Sequence, residues 1–154
     1  ELPPGLLVAV YDSGTSVRTS DMLARVHALR AGGGGGGTFA DLCEVAAEAA
    51  GCVERGDARG FVRSACAFGV ALAALGRAAD APIVPPRFAE LASWAEREDA
   101  AFVPSGAGGG DVAVWLGLAP PSAGFTSRAR ALSMRPLALA IDRGGLRPEP
   151  SSRA

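Results

Sequence analysis

Apolar residues recur along this chain with two different spacings, and the change from one to the other near residue 100 outlines a fold. Leu6 to Tyr11 is a nearly continuous apolar run bounded by Pro4-Gly5 and by Asp12-Ser13-Gly14, as expected of a buried strand. Beyond that turn the period is helical. Met22, Val26 and Leu29 share one face of a helix over 21–29, with Thr19 or Ser20 as the expected N-cap. Phe39, Leu42, Cys43, Ala46, Ala49, Ala50 and Val53 recur at three and four and predict a second helix stopping near Gly56. Phe61, Ala65, Phe68, Leu72 and Leu75 predict a third, whose small alanine-rich surface allows close helix packing. Pro82, Pro85 and Pro86 punctuate the chain, after which Phe88, Leu91 and Ala95 restart a helix that ends around Glu98.

From Ala100 the pattern changes to strands. Ala100 to Val103 and Val112 to Leu116 read as a strand pair with an oversized connection, Phe125 to Leu132 as a short helix, and Leu137 to Ile141 as a last strand. Residues from Pro148 onward read as a frayed tail. The order strand, helices, strand, strand, helix, strand is the split βαββαβ arrangement of ferredoxin-like domains, an α+β fold whose four-stranded antiparallel sheet carries its helices on one face. A length of 154 residues suits one such domain with a single core, spanning 1–147.

Composition narrows the partners. All 15 basic residues are arginine, and Lys, Asn and Gln are missing altogether, the mark of a GC-rich bacterial coding sequence. Charges of both signs are interspersed to a net −1, which leaves no basic footprint for nucleic acid and no polybasic run for a membrane surface. No apolar run approaches the roughly 20 residues of a membrane span. Cys43, Cys52 and Cys66 are odd in number, lack CxxC spacing and fall on apolar helical patterns, which reads as free buried thiols in a reducing cytoplasm. Glu1 to Gly5 lead straight into the first strand without an initiator Met or a charged leader, as at a cut through a longer protein.

Two glycine-rich stretches are candidates for phosphate chemistry. Gly32 to Gly37 follows a helix and contains no Lys, whereas a phosphate loop follows a strand and opens a helix, so this run reads as a flexible linker. Pro104-Ser105-Gly106-Ala107-Gly108-Gly109-Gly110-Asp111 lies between two strands, where a hairpin needs only about two to five residues. Its glycines let successive N–H groups turn toward one point, the nest geometry that favours an anion. Spacing alone leaves that reading level with a flexible turn in a glycine-rich chain.

The stretch PSGAGGGD resembles the third conserved motif of the GHMP kinases, and the form ending in Asp, here Asp111, is most like their phosphomevalonate kinase branch. Gly14-Thr15-Ser16-Val17-Arg18-Thr19 is similar to the Gly-x-Ser-x-x-Thr turn that opens the C-terminal lobe of that family, and Arg135 to Leu139 followed by Gly144-Gly145 resembles its closing strand. The resemblance runs from about Leu6 to Arg147. It implies a C-terminal lobe of an ATP-dependent small-molecule kinase, with Ser105, Gly106, Ala107, Gly108, Gly109, Gly110 and Asp111 binding phosphate and with Ser16 and Thr19 lining the substrate side. The implied cofactors are ATP and Mg²⁺ in the complete enzyme, none of them held by this chain alone. The implied partners are a small phosphorylated substrate, phosphomevalonate foremost, and a separate N-terminal lobe. Another GHMP activity such as mevalonate kinase, or a non-catalytic binding module of the same fold, is the alternative.

Departures from the family pattern are as informative. Phosphomevalonate kinases commonly carry Lys directly before the Pro-Ser-Gly, where this chain has Val103, so a cation near the phosphates is missing or comes from an arginine elsewhere. No Pro-x-x-x-Gly-Leu-Gly-Ser-Ser-Ala loop, which embraces the ATP phosphates in the family, occurs here, so the chain by itself is expected to be inactive. With the motif on a surface turn, Val at Gly108 or Gly109 is expected to cost function more than folding. The remaining candidates read as structural: His27 as solvated, Trp94 and Trp115 as core, and Glu96, Glu98 and Asp99 as a solvated acidic face. Asp12 and Asp21 flank the first turn.

Overall fold

The structure, a computed structural model, describes residues 2–139. The helices and strands are, in chain order, β1 (Leu7–Asp12), α1 (Thr19–Ala31), α2 (Gly36–Glu54), α3 (Ala58–Ala78), α4 (Pro86–Glu96), β2 (Ala101–Ser105), β3 (Val112–Gly117), α5 (Ala123–Ala131) and β4 (Arg135–Leu137). The strands form one antiparallel sheet in the order β2-β3-β1-β4. That is the strand order of the split βαββαβ fold, so the expected α+β ferredoxin-like sheet is the observed one. The helices are not all on one face, since α3 packs on Ala101 and Leu116, which alternate with the Phe102 and Trp115 that α4 and α5 cover.

Register explains which residues make the core. Ala9 pairs with Trp115, Tyr11 with Ala113, Phe102 with Trp115 and Pro104 with Ala113. Side chains alternate across a strand, so these residues share one sheet face. Helices α4 and α5 close over it with Phe88, Leu91, Ala95, Phe125 and Ala129, each fully buried. The rings meet edge to face around Phe125, whose centroid lies 4.4 Å from Trp115, 5.5 Å from Phe102 and 5.7 Å from Tyr11, an arrangement that adds about 0.5–1.5 kcal/mol per pair beyond area burial.

Helix α3 packs against the outer strand β2, with Val62 and Ala65 on Ala101 and with Leu6, Cys66 and Leu116 alongside. An edge strand with bare N–H and C=O groups invites unwanted pairing; here Pro104 removes one donor. Helix α2 then packs along α3 as an outer layer. The helices of the α1–α3 segment therefore lie apart from the α4–α5 layer. By length and composition α3 could cross a membrane. Part of its apolar surface makes the contacts with α2 and β2, while Val70 stays exposed.

Local chemistry sets several boundaries differently from expectation. Helix α1 begins at Thr19, which is already helical, so Arg18 stands at the N-cap and makes no side-chain capping bond. In contrast, Asp57 caps α3 by accepting from Gly60 N, and Ser122 caps α5 by accepting from Phe125 N. The expected linker over 32–37 is shorter: Gly36 and Gly37 open α2, and only Gly32 to Gly35 form the turn. Gly33 and Gly35 are left-handed there, at φ +75° and +76°, and a Cβ on Gly34 would stand 2.7 Å from Leu29 Cδ1. The chain thus turns tightly from α1 into α2 through left-handed positions that favour glycine. Strand β4 starts at Arg135 instead of Leu137, because Ser133 at φ +62° and the buried Met134 turn the chain onto β1 earlier. Residues 140–141 of the expected strand and the expected tail lie outside the described residues. Cys52 is buried and Cys66 half-buried, but Cys43 is exposed on α2.

Two measurements check this core. Phe125→Ala should destabilise the fold by about 3–5 kcal/mol in urea denaturation, since the ring contacts both strand and helix aromatics. Tyr11 is the sole tyrosine, and burial pushes its phenol above the ordinary 10.0, with Thr126 and Arg130 opposing and the Glu98 charge adding to the rise. The folded state thus favours the neutral phenol. Its contribution is full below about pH 10 and is lost as pH rises through the raised folded value. Tyrosinate absorbance of the native chain should therefore appear above pH 10.0, and Tyr11→Phe should flatten the alkaline fall in stability.

Candidate functional site

Strand β2 ends at Ser105 opposite Val112, the first residue of β3, so residues 106–111 form a six-residue connection. Four of its glycines hold left-handed φ values: Gly106 +76°, Gly108 +77°, Gly109 +82° and Gly110 +114°. An L side chain strains in that region. Space adds a second constraint at Gly108, where a Cβ would meet Ile83 O at 2.3 Å, and at Gly109, where it would meet Val17 Cβ at 3.0 Å. Gly106 is open on its outer side, with nothing within 4 Å. Ala107 packs on the cluster of Met22, Leu75, Ala79, Ala81 and Ile83. The floor of the loop thus belongs to the helical layer.

The β1–α1 turn supplies the facing wall. Ser13 N donates to Asp111 O at 3.0 Å, extending the β1–β3 ladder by one bond. Asp12 Oδ1 accepts from Gly14 N at 2.9 Å, an Asx turn. The Thr15 hydroxyl donates to Gly110 O at 2.7 Å. Its single proton is then committed, so it accepts from Arg87 Nη2 at 2.6 Å, and Ser13 Oγ lies 2.9 Å away as a second donor. Arg87 reaches in from the first turn of α4.

Backbone donors divide unequally. Gly109 N–H is committed to Ile83 O at 3.0 Å. Among the described residues, the N–H groups of Gly106, Ala107, Gly108 and Gly110 have no backbone partner. Loop amides without internal partners are available to an anion where they turn toward one point. Ser105 is exposed at its rim, and the Asp111 side chain is exposed while its carbonyl holds Ser13. Ser16 and Thr19 are both exposed, on either side of the Val17 that backs Gly109. The structure thus brings the loop beside the 13–17 turn and keeps Thr19 on the first turn of α1.

Ser13, Thr15 and Arg87 were not among the sequence-selected residues. The Asp-Ser-Gly-Thr turn after a strand was a usable signal for the first two. Arg87, distant in sequence from both walls, carried none. Val103 lies against α3, where a Cβ on Gly69 would come within 3.2 Å of its Cγ1. Among the described residues no three His, Cys, Asp or Glu side chains gather so as to hold a metal ion, so no residue is assigned to Mg²⁺. ATP fits better in part, since the free loop amides match a phosphate oxyanion.

Other candidates resolve into structural roles. Trp115 is core, Trp94 is half-buried with the Arg97 guanidinium 5.4 Å from its ring centroid, and His27 is exposed. Glu98 is not simply solvated: its carboxylate accepts from Ser122 Oγ at 2.6 Å and Ser122 N at 3.1 Å, joining α4 to α5. Cys66 sits by the other end of β2, its thiol pushed up chiefly by burial and then by the Glu96 charge.

No family model matches the sequence, and no curated protein matches it. Solved structures do. The Lin0012 protein from Listeria innocua superimposes with a TM-score of 0.76 at 23% identity, covering 89% of this chain and 39% of that one. Streptococcus pneumoniae phosphomevalonate kinase in complex with phosphomevalonate and AMPPNP gives 0.70 at 18% identity over 84% of this chain and 37% of that one. Mevalonate kinase from L. major in complex with R-mevalonate gives 0.58 at 16%, over 82% and 37%. The chain shares the fold of part of each of these proteins and spans about two fifths of their length.

The loop geometry revises the expected effect of glycine substitutions. Gly108→Val drives a side chain into the Ile83 backbone and should destabilise folding by about 2 kcal/mol or more. Gly106→Val meets only the φ penalty, about 1–2 kcal/mol. Urea denaturation of the two variants should rank them in that order, so Gly106 is the position that separates function from folding.

Proposed function

We propose that this chain is the C-terminal, substrate-side lobe of an ATP-dependent small-molecule kinase of the GHMP type, acting on phosphomevalonate in isoprenoid precursor synthesis. The carrying observation is the Ser105–Asp111 loop, with four left-handed glycines and, among the described residues, four amides without a backbone partner; we read it as an anion cradle between β2 and β3. The fold shared with a phosphomevalonate kinase over 84% of this chain supports the reading, as does the resemblance of PSGAGGGD ending in Asp111. The shared fold with a mevalonate kinase at TM-score 0.58 makes that sister activity the second reading.

Within this reading the chain's own residues bind and orient. The free amides of Gly106, Ala107, Gly108 and Gly110 donate to phosphate oxygens, Ser105 adds a hydroxyl at the rim, and Ser16 and Thr19 line the substrate side. Asp111 orients the loop, its carbonyl accepting from Ser13 N. ATP supplies the transferring phosphoryl group, and an N-terminal lobe with its own glycine loop supplies the second wall of the cleft. Phosphoryl transfer depends on positioning and electrostatic stabilisation from both sides. One wall is therefore insufficient.

Two results test this. The 154-residue chain alone should not phosphorylate phosphomevalonate, whereas a polypeptide joining it to an N-terminal lobe with a Gly-Leu-Gly-Ser-Ser loop should. Turnover by the chain alone would overturn the division of labour. In the chain alone, inorganic pyrophosphate should shift the amide resonances of residues 106–110, and undisturbed resonances at millimolar pyrophosphate would remove the phosphate reading.

A further inference from the structure

Arg87 touches both walls of the loop although no sequence motif contains it. Its Nη2 donates to Thr15 Oγ1 at 2.6 Å and to Gly110 O at 3.4 Å, and its Nη1 donates to Ser13 O at 3.4 Å. These acceptors come from the β1–α1 turn and from the glycine loop, 95 residues apart at the Thr15–Gly110 bond. Thr15 itself bridges the walls, but it has one proton to give. The planar guanidinium supplies the remaining donors in a fixed fork, so two carbonyls and a hydroxyl are held in one cluster. A Cβ on Gly110 would stand 3.2 Å from Arg87 Nη2 and 3.2 Å from Thr15 Oγ1. Glycine is what lets the three groups meet.

The electrostatics go further than a clamp needs. Both ion pairs of the described residues, Arg25–Asp80 and Arg128–Glu90, lie elsewhere, so among those residues no carboxylate is within ion-pair distance of Arg87, although Asp12 and Asp111 adjoin the Ser13 and Gly110 that hold it. The first turn of α4 holds no acidic residue either. A guanidinium has five N–H donors, and the three bonds in the cluster leave Nε–H and one Nη1–H uncommitted. A charge held in place by neutral acceptors, with donors to spare, is suited to meet an anion.

We propose that Arg87 is a positioning residue that locks the glycine loop to the β1–α1 turn, and that its uncommitted donors and charge contribute to binding a phosphate monoester or polyphosphate there. The ligand half rests on the phosphate reading of the loop; the locking half does not. Phe88, the next residue, carries the Arg87 guanidinium 5.9 Å from its ring centroid and anchors α4 in the core. The stem of Arg87 is therefore set by packing and not by the loop.

Hydrogen exchange and pyrophosphate titration of the full 154-residue chain separate the two halves. Arg87→Met should speed exchange of the bonded Gly109 and Ser13 amides at least tenfold and weaken pyrophosphate binding at least tenfold. Arg87→Lys keeps the charge but loses the fork. It should therefore speed exchange to the same extent while binding with intermediate affinity. The slope of log affinity against log salt should fall in the Met variant and hold in the Lys variant, a change that a purely structural role would not produce. Unchanged exchange in Arg87→Met overturns the lock. Accelerated exchange with unchanged affinity and salt slope overturns the ligand role. If the wild-type chain gives no pyrophosphate response, the phosphate reading fails and takes the ligand half with it, while exchange still decides the lock. If Arg87→Met does not fold, Thr15→Val removes the hydroxyl that Arg87 and Gly110 share, and faster exchange at Gly109 and Ser13 is expected there too; unaltered exchange in that variant overturns the lock.

Discussion

The antiparallel pairing of β1 with β3 is the constraint from which the rest follows. It joins residues 7–12 to residues 112–117, so a loop of about a hundred residues must close before the central ladder forms. Once it has closed, Tyr11 stands beside Ala113 on the face that α4 and α5 cover, and the sheet acquires both its core side and its order. The same pairing carries the turn after β1 to the loop before β3. Ser13 then meets Asp111, Thr15 meets Gly110, and the candidate site is a consequence of sheet register.

Two layers of packing meet at that loop. From one side the aromatic cluster around Phe125 fixes β2, β3 and α4, and with α4 the position of Arg87. From the other side Met22, Ile83 and Leu75 support Ala107, while Val17 and Met22 lie under Gly109. The loop is therefore held along its inner edge and free along its outer edge. Gly108 and Gly109 belong to the held part and Gly106 to the free part. A glycine-rich segment of this kind combines fixed position with unpaired amides, the combination that anion binding requires, since donors that must first be ordered bind weakly.

The helical insertion between β1 and α4 has a different logic. Helix α3 lies against the outer strand, and α2 packs along α3 in turn. The turn at Gly32 to Gly35 is tight, with Gly33 and Gly35 left-handed and Gly34 and Gly35 close against the Leu29 side chain. Glycines that looked like slack in the sequence serve close approach.

How much could be read from the sequence follows the range of each interaction. Periodicity placed every helix and strand within a few residues, because burial of one face is a local pattern: Phe88, Leu91 and Ala95, named from spacing, are completely buried. The ferredoxin-like order was legible for the same reason, and PSGAGGGD marked the loop because glycine is the residue that left-handed backbone demands. Tertiary structure decided the rest. That Gly109 N–H is taken by Ile83 while its neighbours stay free depends on where the α3–α4 connection passes, and no local pattern encodes it. Arg87 looked like any of 15 arginines. Only the register of β1 on β3 and the seating of α4 through Phe88 bring its guanidinium to Thr15 and Gly110, because a contact between residues far apart in the chain exists only after the packing that positions both.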